Sequence, residues 1–296
     1  MGAPADTSSL RVGVVGTGPW AHLVHAPMFA VHPRTTLAAV WGRRLDAAAE
    51  VAGPLGATAH DSFDRFLDEV DAVSFAVPPD VQAVLAVTAA RAGKALLLEK
   101  PLALDLAAAE RLADEVARHG VTTQVLLTWR YRPDVRALLA AVDGAAPFGG
   151  RGRFLTDGFL GGMFATPLRL ERGPLFDLGP HVVDLLDAAL GPVVGIRAHG
   201  DPRRWVGLLL DHGGGAVSEA SLTGHSPVDG PRAGIEVHTA DGVHEVDTAG
   251  FDPAVLTTVV DEFVATAGGR PHPLDVTRGL HLQRLLCRAA DDLEWT

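Results

Sequence analysis

Apolar residues follow two different rhythms along this chain, and the change between them divides it. From residue 10 to about residue 120, short continuous apolar runs alternate with segments whose apolar positions recur every three or four residues. Continuous runs suit strands covered on both faces, and the 3.6-residue rhythm suits helices crossing over between parallel strands. The predicted strands are Leu10 to Val15, Leu37 to Trp41, Ala72 to Val77 and Ala95 to Leu98, and the predicted helices Leu45 to Ala52, Ser62 to Leu67, Val81 to Ala92 and Asp105 to Arg118. Asp105 offers an N-cap oxygen, and Gly93 and Gly120 are placed to end helices. Val121 to Thr128 reads as a further strand at a border.

Beyond that border the rhythm shortens to two. Arg204 to Leu210, Ala216 to Leu222 and Ile235 to Thr239 alternate, which predicts a more antiparallel sheet, with Gly213-Gly214-Gly215 as a hairpin turn. The apolar alternation at Arg204 to Leu210 and Ala216 to Leu222 suits either an oligomer surface or the ordinary core face of the sheet. Helices are predicted over Pro133 to Val142, Phe176 to Leu190, Ala254 to Ala267 and Asp275 to Leu293. The chain is therefore α/β, with a doubly wound first half and a second domain of different style.

Composition narrows the partners. With 47% hydrophobic and 21% charged residues, the 296-residue chain can fill two cores. A net charge of −11 repels polyphosphate surfaces, so nucleic acid is not an expected partner. Cys287 is the single cysteine, which excludes an intrachain disulfide and fits a reducing cytoplasm. No run reaches the roughly 18 to 20 apolar residues of a membrane span, and Met1 to Ser9 reads as a short frayed terminus without a leader's basic-then-apolar pattern.

Three segments carry candidate chemistry. Gly16-Thr17-Gly18-Pro19-Trp20-Ala21 follows the first strand and opens a helix, the setting a dinucleotide fingerprint needs. Gly16 would form the tight turn, Gly18 would admit pyrophosphate against the backbone, and Ala21 would bring the helix onto the sheet. Pro19 lacks an amide hydrogen, so neighbouring amides and the helix dipole must bind the anion. An ordinary glycine-containing turn is the plainer alternative. The second strand runs into Gly42-Arg43-Arg44 where an acid would select NAD; two guanidiniums there favour NADP(H), with NAD(H) as the alternative through Asp46.

Val77-Pro78-Pro79-Asp80 and Glu99-Lys100-Pro101 end successive strands on the carboxyl rim, where open α/β sheets bind ligands. The prolines would wall a nicotinamide pocket, and Lys100 would point into it unless it snorkels or pairs with Glu99. Asp177, His181 and Asp184 fall on one face of the helix predicted from Phe176. A carbonyl between Lys100 and His181 could take a proton as hydride arrives, with Asp177 orienting it. The alternative is Asp177 as an N-cap, His181 as a satisfied interdomain histidine and Asp184 facing solvent. His22 and His25 lack a third partner, so no metal is expected. No Tyr-x-x-x-Lys occurs, which argues against short-chain reductase chemistry.

In this order and spacing, Arg11-Val12-Gly13-Val14-Val15-Gly16-Thr17-Gly18, Glu99-Lys100-Pro101 and Leu175-Phe176-Asp177-Leu178-Gly179-Pro180-His181 resemble the glucose-fructose oxidoreductase, inositol dehydrogenase and rhizopine-catabolism (Gfo/Idh/MocA) family. The resemblance implies a Rossmann domain over residues 1–125, then a substrate-binding and oligomerisation domain over 126–296 with a large, mostly antiparallel open sheet, and a nicotinamide site between them. By matching motif, Lys100 looks like the family's catalytic lysine, Asp177 like its frequent substrate or catalytic acid, and His181 like its frequent proton carrier. Thr128-Trp129-Arg130-Tyr131-Arg132-Pro133 resembles the segment whose arginine, here Arg130, approaches cofactor or substrate. Glu171-Arg172-Gly173-Pro174 differs from the family's more glycine-rich approach.

The resemblance further implies sugars, sugar nucleotides or cyclitols as substrates and a dimer or tetramer. The expected activity is hydride transfer between NADP(H) and a secondary alcohol or ketone. A non-catalytic sensor, or an enzyme that recycles its cofactor in an epimerase- or lyase-like sequence, would share the same fold.

Overall fold

The structure is a computed structural model that describes residues 9–163 and 165–294; of the frayed terminus expected at residues 1–9, all but Ser9 lies outside them. The chain gathers into two compact units, one formed by residues up to Leu126 with Leu256–Leu280, the other by Leu127–Val255 with the residues from His281.

The first unit opens with β1 (Leu10–Val15), whose exit leads into a π-helical turn over Ala21–His25 and then α1 (Ala26–Val31). There follow β2 (Thr35–Trp41), α2 (Leu45–Ala52), β3 (Thr58–His60), α3 (Phe63–Asp68), β4 (Ala72–Phe75), α4 (Pro79–Arg91), β5 (Ala95–Leu98), α5 (Leu106–His119) and β6 (Thr123–Val125). All six strands are parallel, in the order β3-β2-β1-β4-β5-β6. Strand order reverses between β1 and β4, which places a topological switch point at the carboxyl ends of those two strands. Every residue of β4 and β5 is buried, which explains their unbroken apolar runs. Asp105 caps α5 by accepting from the Ala108 amide at 2.8 Å, and Gly120 closes it in the left-handed conformation.

The border strand is shorter than its apolar run. Pairing stops at Val125, and Thr128–Tyr131 forms a short 3-10 helix, because Pro133 holds Arg132 extended and begins α6 (Pro133–Val142).

The second unit continues with β7 (Gly149–Leu155), α7 (Pro167–Asp177), α8 (Gly179–Leu190), β8 (Val193–Asp201), β9 (Trp205–His212), β10 (Val217–Thr223), β11 (Arg232–Thr239) and β12 (Gly242–Asp247). Its sheet runs β12-β11-β7-β10-β9-β8, antiparallel throughout except for the parallel pair β7 and β10. The turn after β9 holds the three glycines, with the His212 amide donating to the Ala216 carbonyl at 2.9 Å. α8 lies on β7: a Cβ at Gly152 would overlap Val182, so glycine is what lets helix and strand meet. The helix expected over Phe176 to Leu190 is in fact two, because Pro180 has no amide to donate and the helical hydrogen bonding is interrupted at Leu178, whose backbone stays in the helical region.

Two helices complete the chain, α9 (Val255–Ala267) and α10 (Val276–Ala290). Phe263 is fully buried against Phe29, with ring centroids 5.9 Å apart. The Gln124 side chain donates to the Val259 carbonyl at 3.1 Å, and the Thr122 hydroxyl to the Thr266 carbonyl at 2.6 Å. A single cut between residues 125 and 126 therefore does not describe the packing, since Leu256–Leu280 covers the edge of the first sheet. No described helix is long and apolar enough to cross a membrane.

Candidate active site

At the exit of β1, Gly16 takes φ 131° and donates its amide to the Trp41 carbonyl at 2.9 Å. A Cβ at Gly16 would overlap the carbonyl oxygen of Ala76, so only glycine lets the loop cross the end of β4. Gly18 is the opposite case: a Cβ there would meet no protein atom within 4 Å. Its backbone faces open space that a pyrophosphate can approach, so the cradle fits a dinucleotide. Thr17 packs against Gly42 at the end of β2, and Ala21 is fully buried, holding the helix to the sheet. Pro19 and Trp20 form the helix entrance, where the His22 amide donates to the Gly18 carbonyl at 3.2 Å.

The two arginines beyond β2 differ. Arg44 makes a bidentate pair with Asp46, Nε to Oδ1 at 3.0 Å and Nη2 to Oδ2 at 2.8 Å. Asp46 also accepts the Ala47 amide at 2.9 Å. The Arg44 hydrogen bonds, with that amide, hold the Asp46 carboxyl below its ordinary range, and the same bonds raise Arg44. Arg43 is exposed, and no carboxylate is described against it.

Val77, Pro78 and Pro79 form the rim above β4, with α4 starting at Pro79. Beside it, the Lys100–Pro101 bond is cis. The turn is clamped from behind by Gln82, which is fully buried: its Oε1 accepts the Glu99 amide at 2.8 Å, and its Nε2 donates to the carbonyls of Glu99 at 2.8 Å and Leu102 at 3.1 Å. Glu99 collects donors in turn. Its Oε1 accepts the Trp20 indole N–H at 2.7 Å and lies 3.1 Å from His25 Nε2, while Oε2 accepts the Lys100 amide at 3.2 Å. His25 Nδ1 lies 2.7 Å from the Ser74 hydroxyl. The structure thus joins Trp20, Glu99 and Lys100, three of the residues singled out by sequence, in one network. It adds Ser74 and Gln82, single polar residues inside an apolar strand and helix face, and His25, which the sequence had put forward only as a metal ligand.

In the second unit, Trp129, Phe154 and His181 form a ring cluster, with centroids 5.0 Å apart for Trp129 and Phe154 and 5.1 Å for Trp129 and His181. His181 lies in the first turn of α8 and Asp177 at the end of α7, with Arg169 Nε 3.6 Å from its carboxylate. The helix break puts these two residues on successive helices rather than on one. Asp184 does not face solvent: it is 1% exposed, and both its oxygens lie against Arg130 Nη1, at 3.2 and 3.1 Å. Arg130 Nη1 thus forms an ion pair with a buried carboxylate of its own unit. Among the described residues, no three of His, Cys, Asp or Glu gather as metal ligands would.

A parallel sheet of this strand order, with a glycine turn and open backbone at the switch point, defines a dinucleotide-binding Rossmann protein. Residues 10–127 match the sequence model of the Gfo/Idh/MocA family, described as an oxidoreductase family with an NAD-binding Rossmann fold. Over those residues the chain resembles this oxidoreductase family.

Among curated proteins it is similar to the dTDP-3,4-didehydro-2,6-dideoxy-alpha-D-glucose 3-reductase of Streptomyces violaceoruber, 29% identical over 82% of this chain and 69% of that protein. It also resembles the UDP-N-acetylglucosamine 3-dehydrogenase of Acidithiobacillus ferrooxidans, 35% identical over 46% of this chain and 42% of that enzyme. A solved structure of a UDP-N-acetylglucosamine 3-dehydrogenase from the same organism superimposes with a TM-score of 0.81 at 25% identity, covering 97% of this chain and 98% of that one.

Proposed function

We propose that this protein moves hydride between NADP(H) and a secondary alcohol or ketone of a sugar, sugar nucleotide or cyclitol. The observation that carries the reading is the Lys100 turn, set on the carboxyl rim of the first sheet and tied through Glu99 and Trp20 to the dinucleotide cradle. The sugar-nucleotide names of the relatives support the substrate class.

When bound, the nicotinamide supplies or accepts the hydride. The cradle from Gly16 to Ala21 binds the pyrophosphate, and Val77, Pro78 and Pro79 wall the rim. In reduction Lys100 donates an Nζ proton to the carbonyl oxygen as it gains negative charge; in oxidation the same amine takes the hydroxyl proton. His181 is the second candidate proton carrier, and Asp177 the group that orients substrate. A charged Lys100 also stabilises the developing alkoxide.

NADP(H) is favoured over NAD(H) for a reason the sequence only hinted at. Asp46, the acid that follows β2 in sequence, has both oxygens on Arg44 and one on a backbone amide, which leaves it fewer lone pairs to offer a ribose hydroxyl. Arg43 is left to meet a 2′-phosphate. Exposed Trp205, Leu209 and Val217 on β9 and β10 support assembly as a homodimer or homotetramer, which light scattering would measure.

Titrating the protein with NADPH and NADH, followed by tryptophan quenching, tests the cofactor reading. A screen of sugars and cyclitols at 340 nm tests the activity. Binding of neither cofactor would overturn the reading as a whole, and binding without turnover would leave a sensor.

A further inference from the structure

Stability alone gives no reason for a histidine at position 25. The ring is fully buried, as is Ser74. An apolar side chain would occupy the space without needing partners, whereas a buried imidazole is costly unless both nitrogens are satisfied. Both are: Nδ1 faces the Ser74 hydroxyl at 2.7 Å and Nε2 faces Glu99 Oε1 at 3.1 Å. The ring also meets Trp20 edge-on, with centroids 6.4 Å apart.

The directions of these bonds can be assigned. A carboxylate only accepts, so Nε2 carries the hydrogen toward Glu99, and the Ser74 hydroxyl donates to Nδ1 in the neutral ring. Ser74 on β4 thus sets the tautomer, the tautomer supplies the donor to Glu99, and Glu99 Oε2 receives the Lys100 amide at 3.2 Å. The same Oε1 takes the Trp20 indole at the mouth of the dinucleotide cradle. His25 ends the π-helical turn Ala21–His25, an irregularity that recurs at functional sites.

We propose that His25 is a positioning residue for the lysine turn: held by Ser74, it fixes the Glu99 carboxylate and through it the backbone from which Lys100 acts. The proposal rests on the reading of Lys100 as the proton carrier. It also predicts that Ser74 matters although its side chain is fully buried.

Two near-isosteres separate positioning from mere filling. Gln at position 25 places its amide nitrogen near the site of Nε2 and keeps a donor for Glu99. Asn places its amide near Nδ1 and keeps only the Ser74 contact. In the full-length protein, His25→Asn is expected to lower kcat by about 10- to 100-fold, the scale of a displaced reacting group. NADPH affinity should change by less than about threefold, because the glycine turn at Gly16 and Gly18 is untouched. His25→Gln should recover most of that loss, and Ser74→Ala should fall between them. With 4-deuterated NADPH, the primary isotope effect should rise in His25→Asn as hydride transfer becomes limiting. In the cofactor-free protein, the Lys100 amide and Trp20 indole N–H resonances should shift in His25→Asn and stay near wild type in His25→Gln.

Equal losses for Gln and Asn, or losses confined to melting temperature and cofactor affinity, would overturn the proposal. Should the wild-type protein oxidise or reduce no sugar or cyclitol, the functional reading fails separately. The two N–H resonances then still decide whether His25 holds the turn, and their indifference to His25→Asn would sink it.

Discussion

Replacing Asp184 by Asn tests whether Arg130 is a structural anchor rather than a cofactor ligand. Asp184 is 1% exposed and the Arg130 side chain 19%, with Nη1 at 3.1 to 3.2 Å from the two carboxylate oxygens. At about 4 Å between charge centres and an effective dielectric of about 20, their attraction is about 4 kcal/mol before desolvation is counted. Breaking a fully buried pair by removing one partner costs about 3 to 5 kcal/mol, because the other charge is stranded. Arg130 keeps some access to water, which places the expected cost at the lower end, about 3 kcal/mol. For a chain of this size each kcal/mol shifts the melting temperature by roughly 2 to 4 °C, so a fall of roughly 6 to 12 °C should appear by calorimetry. The double variant Asp184→Leu with Arg130→Met should be more stable than Asp184→Asn alone, since no charge is left stranded. A loss under about 1 kcal/mol, or a double variant as unstable as the summed singles, would refute the argument. A large drop in NADPH affinity at unchanged stability would return Arg130 to the cofactor.

Three other outcomes follow from the site. Lys100→Met should lower kcat by about 100- to 10,000-fold, the range for a lost general acid–base, while fluorescence titration shows NADPH affinity largely kept. Arg43→Ala should weaken NADPH binding and leave NADH binding nearly unchanged, whereas Asp46→Ala, which releases Arg44, should strengthen NADPH binding; identical responses of the two cofactors would remove both arginines from selectivity. The Asp134 carboxyl is held below its ordinary range chiefly by its hydrogen bonds from Arg132. Its contribution to stability is therefore complete above the ordinary carboxylate pKa and is lost as pH falls through the lowered one. Urea melts between neutral and acid pH should show a shallower acid-side loss in Asp134→Asn, and an unchanged slope would count against the pair.

Most of the first unit is legible in the sequence because its strands are covered on both faces. β1, β5 and α2 begin and end where their apolar patterns do, and β3 escapes notice as three edge residues, exposed Thr58 and half-buried Ala59 and His60. The second unit hides more. β7 reads Gly-Gly-Arg-Gly-Arg, with no alternation to find, because its buried face is made of absent side chains under α8. α7 is masked by Gly173 and Pro174, which kink it. At the site, Gly16, Gly18, Glu99 and Lys100 announce themselves through local motifs. The partners that fix them do not, since the bonds from His25 to Ser74 and Glu99, and from Arg130 to Asp184, join positions far apart in the chain.

The single parallel pair in the second sheet sets an order of events as the chain is made. β7 leaves the ribosome with neither neighbour in existence, for its partners are residues 217–223 on one side and 232–239 on the other. Until both are synthesised it is an orphan strand, and pairing across such distances is slow to form. Glycines with interspersed arginines make a poor template for chance association. The composition that lets α8 settle on β7 in the finished protein also protects the nascent chain while that strand waits.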